Sequence, residues 1–373
     1  MQICKPVYFE EFACVAGECP DTCCAGWLIM IDEESLERYG EVEGSFGGML
    51  RNSIDWMEGC FYQREGRCAF LNDENLCDIY IELGSEALCD TCRLYPRHVE
   101  EYEGIREWSL SLSCPIAARM LLSWQGEVPL VETETGEEED LDDFEDFDIM
   151  LYTQLVEARG VCFEKLWEES FSTEVYMEMC LNFARDMQLC VEDGEYFRLE
   201  EVTRAYREKA WAQVERPVSF EERKELFETI DGLERLRQEW DEVLEETKSL
   251  LYMNGKENHK KIHGEFESYL EEHPTKAAEY KNVTRQLLFF FIYTYFCGAV
   301  YDDWIYSKMA LSVESVRFIR ELFLARWMKN GRMLTMEDYV ELSYRYAREI
   351  EHSDLNLNEL EENFIKLLTT NES

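Results

Sequence analysis

Apolar residues recur at helical spacing through the second half of the chain. Residues 172–190 form one helix candidate. Ser219-Phe-Glu-Glu222 is a capping box that opens a long helix. Its apolar positions Leu226, Ile230, Leu233, Trp240, Leu244, Thr247 and Leu251 keep 4-3 spacing, broken at Arg237, and predict a bundle seam or helical hairpin. Thr275 can cap a helix running into the longest apolar run, residues 287–301, which is too short for a bilayer span and reads as a buried helix. Residues 312–330 are amphipathic through Val316, Ile319, Phe323 and Trp327, and Gly331 sits where a C-terminal cap belongs. Thr335-Met-Glu-Asp338 starts another helix, with Tyr339, Leu342, Tyr346 and Ile350 on one face; a last short one uses Leu357, Leu360, Phe364 and Leu367. No repeat recurs at fixed period, which disfavours a solenoid.

The first 125 residues follow a different pattern of short elements. Residues 27–31 read as a short buried strand, and Asp32 caps a helix through Tyr39. Residues 41–48 are glycine-rich and loop-like. From Val99 a hairpin turns near Glu103-Gly104, and its return strand alternates at Trp108, Leu110 and Leu112. Cys114-Pro115 then starts a helix with proline at its first position. Residues 127–148 carry twelve acidic side chains and no Lys or Arg, the pattern of a solvated linker. The fold expected is mainly α: a Cys-rich part with short strands and a hairpin (1–125), an acidic linker (126–148) and a helical, bundle-like part (149–373).

Charge and cysteine usage then narrow the chemistry. A net charge of -43 disfavours nucleic acid and anionic membrane as partners, because both are polyanions. The N-terminus has neither a basic nor an apolar signal region, so a cytoplasmic location is expected. In that reducing compartment, fifteen cysteines point to metal or redox chemistry rather than disulfides.

Eight thiols stand out as metal ligands: Cys14, Cys19, Cys23, Cys24, Cys68, Cys77, Cys89 and Cys92. Cys89-x2-Cys92 and Cys19-x3-Cys23 have chelate spacing, and thiolates suit zinc or an iron–sulfur cluster. The neighbours Cys23 and Cys24 are expected to point apart and serve different centres. Cys162, Cys180, Cys190 and Cys297 sit singly on helical segments and read as small buried apolar groups. His98 is the one histidine of the N-terminal part, which disfavours a Cys/His zinc finger. The Cys-x3-Cys-x2-Cys triad of radical S-adenosylmethionine enzymes is absent, since Gly26 stands at its third position. No glycine-rich nucleotide loop follows a strand.

Cys14…Cys19…Cys23-Cys24 with Cys68-Ala-Phe-Leu, Cys77-Asp-Ile-Tyr and Cys92-Arg resembles the CxxCxxCC zinc- or iron-chelating domain. Gly26-Trp27, Tyr95-Pro-Arg97 and Glu107-Trp-Ser-Leu-Ser-Leu-Ser-Cys114-Pro115 make it similar, more specifically, to the flagellin lysine-N-methylase family. The likeness is dense over residues 1–125; beyond that only length and helical character match. It implies a cytoplasmic enzyme that methylates flagellin lysines, using S-adenosylmethionine and an iron–sulfur cluster of the [4Fe–4S] kind, with zinc as the alternative metal.

Methyl transfer requires a neutral amine, and deprotonating a free lysine at pH 7 costs about 4.6 kcal/mol. Tyr95, His98 and Glu107 are the candidate bases in the block of likeness, with Tyr80 a further one. Arg93, Arg97 and Arg119 are candidates for the cofactor carboxylate, which guanidinium pairs bidentately. Lys5 is the only lysine before Lys165, as a protein avoiding methylation of itself would show. The competing readings are a non-enzymatic zinc or iron scaffold and another cluster-dependent enzyme or redox carrier.

Overall fold

The computed structural model describes residues 1–136, 144, 147–209, 211 and 218–370. It is mainly α, as the periodicity predicts, with a small sheet and a thiol-bearing module at the N-terminal side.

In the N-terminal part, β1 (Gln2–Pro6) is followed by α1 (Glu33–Glu41), whose Asp32 cap accepts from the Ser35 N–H at 2.8 Å. Residues 27–31 form no strand; the segment makes one isolated bridge, Met30 to Cys60. It stays extended because Ile29 and Ile31 are buried while Leu28 and Met30 face outward. Residues 41–48 also depart from expectation. α2 (Gly44–Ser53) begins inside them, and its Gly47 packs so tightly that a Cβ would lie 1.8 Å from the Val42 carbonyl oxygen. The glycines there serve helix packing, not a loop. Short ladders β2 (Ile54–Asp55) with β3 (Cys60–Phe61) and β4 (Gln63–Arg64) with β5 (Arg67–Cys68) follow, then α3 (Asp78–Leu83) and α4 (Asp90–Leu94).

The hairpin is present: β6 (Arg97–Tyr102) pairs antiparallel with β7 (Ile105–Leu110), turning at Gly104 with φ 71°. α5 (Pro115–Ser123) follows Cys114, and β8 (Leu130–Glu134) closes a sheet of order β6-β7-β1-β8. β1 runs parallel to β7 and antiparallel to β8. Part of the acidic stretch is therefore an edge strand; residues 137–143, 145 and 146 lie outside the described residues, and the linker reading with them.

The helical body holds α6 (Ile149–Leu166), α7 (Thr173–Glu192), α8 (Leu199–Glu208), α9 (Phe220–Gly232), α10 (Gln238–Thr247) and α11 (Gly255–Glu272). It is completed by α12 (Pro274–Tyr295), α13 (Ile305–Lys329), α14 (Met336–Glu351) and α15 (Asp354–Thr370). Both capping boxes form, at Ser219–Glu222 and Thr335–Asp338. The long helix expected from Ser219 is two: the chain breaks between α9 and α10, where Arg237 leaves the helical path and reaches Asp21 and Ala25 of the thiol module. α12 is apolar enough to cross a membrane, but 89% of its apolar window is buried in the protein, so packing accounts for its composition. α13 is the central helix rather than an amphipathic surface one. It is buried on most faces and packs on α7, α12 and α15. The side chain of Leu367, expected on the face of the last helix, lies outside the described set.

One apolar core runs from the sheet into the helical body, and a smaller one fills the thiol module. Between sheet and helices lies a buried ion pair. Glu107 points inward from β7, and Arg159 of α6 grips both its oxygens, Nη1 at 2.6 Å from Oε2 and Nη2 on Oε1. Arg159 also donates to the Tyr293 carbonyl oxygen at 3.1 Å. Arg159→Met leaves the Glu107 carboxylate buried without its partner and should cost about 3–5 kcal/mol. In urea unfolding, the double variant Glu107→Gln/Arg159→Met should recover most of that loss; equal loss in both variants would contradict a clamp made by charge pairing.

Candidate active site at the thiol module

The thiols fall into two electrostatic neighbourhoods that join at Cys23 and Cys24. Cys24, Cys68, Cys77, Cys89 and Cys92 form the first. It is enclosed by Ile29, Tyr39, Phe61, Phe70 and Ile79 of the smaller core. Cys14, Cys19, Cys23 and Cys114 form the second, facing the helical body. The neighbours Cys23 and Cys24 do not point apart as expected: their side chains hydrogen-bond each other and link the two sets. A hydrogen bond from Cys23 holds the Cys24 thiol down at about 7, while Cys23 is pushed well up. The hydrogen bond between Cys92 and Cys89 likewise lowers Cys89 and raises Cys92. Each pair thus presents one thiol ready to ionise, as metal ligation requires.

Local folding explains the spacings. Cys77, Cys89 and Cys114 each cap the N-terminus of a short helix, α3, α4 and α5. Burial raises the Cys77 and Cys114 thiols, and backbone N–H groups of those first turns pull against it. Cys60 and Cys4 join neither set; Cys4 sits beside Tyr293. Cys162 and Cys180, read as single, meet across α6 and α7 with their sulfurs 4.0 Å apart.

The thiol module meets the end of α14 at a polar junction. Arg348 donates from Nε to the Ser113 carbonyl oxygen (2.8 Å) and from Nη2 to the Asp21 carbonyl oxygen (2.8 Å), with Nη1 2.6 Å from the Asp21 carboxylate. Arg237 pairs with the same carboxylate at 2.9 Å. The second arginine also explains Gly26: a Cβ there would lie 2.1 Å from the Arg237 Nε, and its φ is 84°.

Beside these arginines runs a chain of hydroxyls. Ser111 donates to Glu351 Oε2 at 2.5 Å, and Ser111 and Ser113 lie 2.5 Å apart. The Ser113 hydroxyl meets the Tyr95 hydroxyl at 3.1 Å and His352 Nε2 at 3.0 Å. His352 stacks on Trp27 with centroids 4.5 Å apart, and the Trp27 indole donates to the Cys23 carbonyl oxygen at 2.6 Å. Burial pushes the Glu351 carboxyl up to about 7. Burial, then Arg348 and Arg237, pulls His352 down to about 3, so its ring is neutral. Burial raises the Tyr95 phenol, which interacts with Cys23 and Cys114.

Of the residues singled out in the sequence, Tyr95 lies in this junction. His98 stands at its edge, paired with Glu100 at 2.6 Å and felt by Glu351. Glu107 is committed to Arg159, and Tyr80 is exposed. Arg93 pairs with Asp90 at 2.5 Å and Arg119 with Glu337 at 3.1 Å, both on the surface; Arg97 lies over Phe9 and Phe12. The structure does not bring these three arginines together. The arginines at the junction are Arg237 and Arg348, which no sequence motif marks. Glu351-His352 was visible only as a carboxylate and one of five histidines ending an amphipathic helix.

Residues 159–372 match the family described as the FliB lysine N-methylase C-terminal domain. The chain belongs to this family. The FliB match covers α7 to α15, the half where the sequence carries no thiol signature. Flagellar biosynthetic protein FliU of Salmonella muenchen is 29% identical over 129 residues, 32% of this chain and 76% of FliU. The lysine-N-methylases of Salmonella typhimurium and Salmonella choleraesuis are 29% identical over 129 residues, which is 32% of this chain and 32% of each of them. The chain therefore matches about a third of the length of those two relatives. No solved structure matches.

Proposed function

We propose that this FliB-family chain is a protein lysine N-methylase acting on flagellin, with S-adenosylmethionine as methyl donor and a [4Fe–4S] cluster in its thiol module. The observation that carries the reading is the junction itself: thiols, aromatic rings and a hydroxyl relay meet at the end of α14, inside the matched helical region. A cytoplasmic site of action, ahead of flagellin export, goes with it.

The donor set fits a cluster better than a single zinc ion. Four thiolates on one zinc stand about 3.8 Å apart, given Zn–S bonds near 2.3 Å. Among the described residues no three thiols have sulfurs all within 4.8 Å of one another. An iron–sulfur core, which is larger, spreads its ligands farther. Cys24, Cys68, Cys89 and Cys92 would hold it, with Cys77 beside them. When bound, the cluster supplies a positioned iron–sulfur face next to the substrate pocket.

The chain's own residues handle the proton. A substrate amine would give up its proton at the partly exposed Ser111, which passes it to Glu351, while the fully buried Ser113 holds Ser111 from behind. The carboxylate is suited to the task, with a pKa near the working pH. Trp27 and Tyr95 present aromatic faces that suit a sulfonium or an ammonium. Arg237 and Arg348 are spent on the Asp21 carboxylate, and they tie the thiol module to the helices and set the charge of the junction. The acidic surface favours approach of a lysine-presenting protein.

Anaerobically prepared protein, incubated with S-adenosylmethionine and unmethylated flagellin, should add mass to flagellin in methyl increments. The added groups should map to lysine side chains. Cluster-replete protein that transfers nothing would favour the scaffold or redox-carrier reading instead.

A further inference from the structure

A second metal-ligating constellation lies in the helical body, among residues with no part in the thiol chemistry. His259 and His263 stand one turn apart on α11, and Glu321 of α13 faces both. His259 Nε2 lies 2.9 Å from Glu321 Oε2, and His263 Nε2 lies 3.0 Å from Oε1. All three ligand atoms fall within 4.8 Å of one another. We propose that His259, His263 and Glu321 form a divalent transition-metal site of the two-histidine, one-carboxylate type, tying α11 to α13.

Three observations carry this. First, the separations are those of cis ligands. Atoms about 2.1 Å from one ion and at right angles to each other lie about 3 Å apart. Second, His263 Nε2 is buried and near the carboxylate, yet makes no hydrogen bond to it. A lone pair converging with a carboxylate oxygen on one point, rather than an N–H aimed at it, gives that arrangement. Third, Glu321 is supported as a metal-bound carboxylate usually is, since the Tyr252 hydroxyl donates to Oε2 at 2.9 Å.

The site is open on the Glu321 side only, since neither histidine lines the cavity there. Glu321 and Arg223 line a cavity of about 640 Å³ in the helical body. Three protein ligands leave coordination positions open for water or a small oxygen donor from that side. Arg223 is the competing cation, with Nη1 3.0 Å from Glu321 Oε1. Its other nitrogen, Nη2, already lies 4.0 Å from Glu174, so the guanidinium has a second carboxylate to occupy when an ion takes its place.

The probe is Co²⁺ added to chelator-washed full-length protein under anaerobic conditions. Visible absorption distinguishes the two kinds of ligand. Ions on nitrogen and oxygen show weak visible bands only, whereas ions on thiolates add strong near-ultraviolet charge transfer. The native protein should bind one more equivalent of Co²⁺ than His263→Ala, and that equivalent should lack thiolate charge transfer. His263 is partly exposed, so its removal should leave the circular dichroism unchanged. The variant should lose more than about 100-fold in affinity for this ion, beyond what loss of an outer-shell partner costs. Arg223→Gln, which removes the competing cation, should bind Co²⁺ more tightly than the native protein. Equal stoichiometry in native and His263→Ala protein, or an extra ion that shows thiolate charge transfer, would overturn the site.

Discussion

Cys89→Ser should strip the proposed cluster from the protein and abolish methyl transfer. Cys89 is fully buried, caps α4, and is held toward its thiolate by Cys92. A serine hydroxyl there offers a hard, protonated donor to a centre that prefers soft anionic sulfur. The expected variant is colourless, with iron and sulfide below a tenth of the native content and no methyl transfer. Cys60→Ser should behave as native protein, because Cys60 joins neither thiol set. Cys14→Ser separates the two sets. Cys14 is exposed and belongs to the quartet facing the helices, so iron should remain when it is changed. Full iron content in Cys89→Ser, or native protein that carries zinc and no iron, would sink the assignment.

How much of this was legible in the sequence differs between the two halves. The helices of the second half were readable because each buries one stripe at 3.6-residue spacing, and Ser219 and Thr335 announce their own starts. What failed there were interruptions with tertiary causes. The helix from Ser219 stops at Gly232 and a new one starts after Arg237, whose guanidinium has partners 212 and 216 residues away that no local pattern encodes. Residues 41–48 looked like a loop from their glycines, whereas Gly47 marks a close helix contact. The thiols were legible as a group by residue type and spacing, but adjacency misled for Cys23 and Cys24, whose side chains hydrogen-bond each other. Cys114 was noticed only as a helix start, since its partners are Cys19 and Cys23 in space. Glu107 was a candidate base from its place in the block of likeness, yet Arg159 takes up both of its oxygens. The relay escaped notice because Glu351 and His352 meet Ser111 and Ser113 only through folding.

That relay leads to the second large effect. Glu351→Gln should lower the rate of methyl transfer by about 10²–10⁴-fold while leaving iron content and flagellin binding near native. The amide matches the carboxylate in shape and keeps an acceptor for Ser111, so the local fold should hold, but it cannot take a proton. The pH profile carries the sharper test. Burial raises the Glu351 carboxyl to about 7, so the native group is protonated and inactive as a base well below that value. The native rate should therefore climb with pH and level off above about 7. The glutamine variant should lose this limb and keep only the shallow dependence set by the lysine itself. Stability should move the opposite way. A carboxyl whose pKa rises on folding supports the fold below its unfolded value, near 4.3, and loses that support as pH rises through 7. The native protein should consequently become easier to unfold across that window, and Glu351→Gln should flatten the decline. Glu349, also raised to about 7 by burial, adds slope of the same sign, while His352, pulled down to about 3, opposes it up to its unfolded value near 6.5. A glutamine variant with an unchanged rate limb would place the base elsewhere, with the neutral His352 next in line.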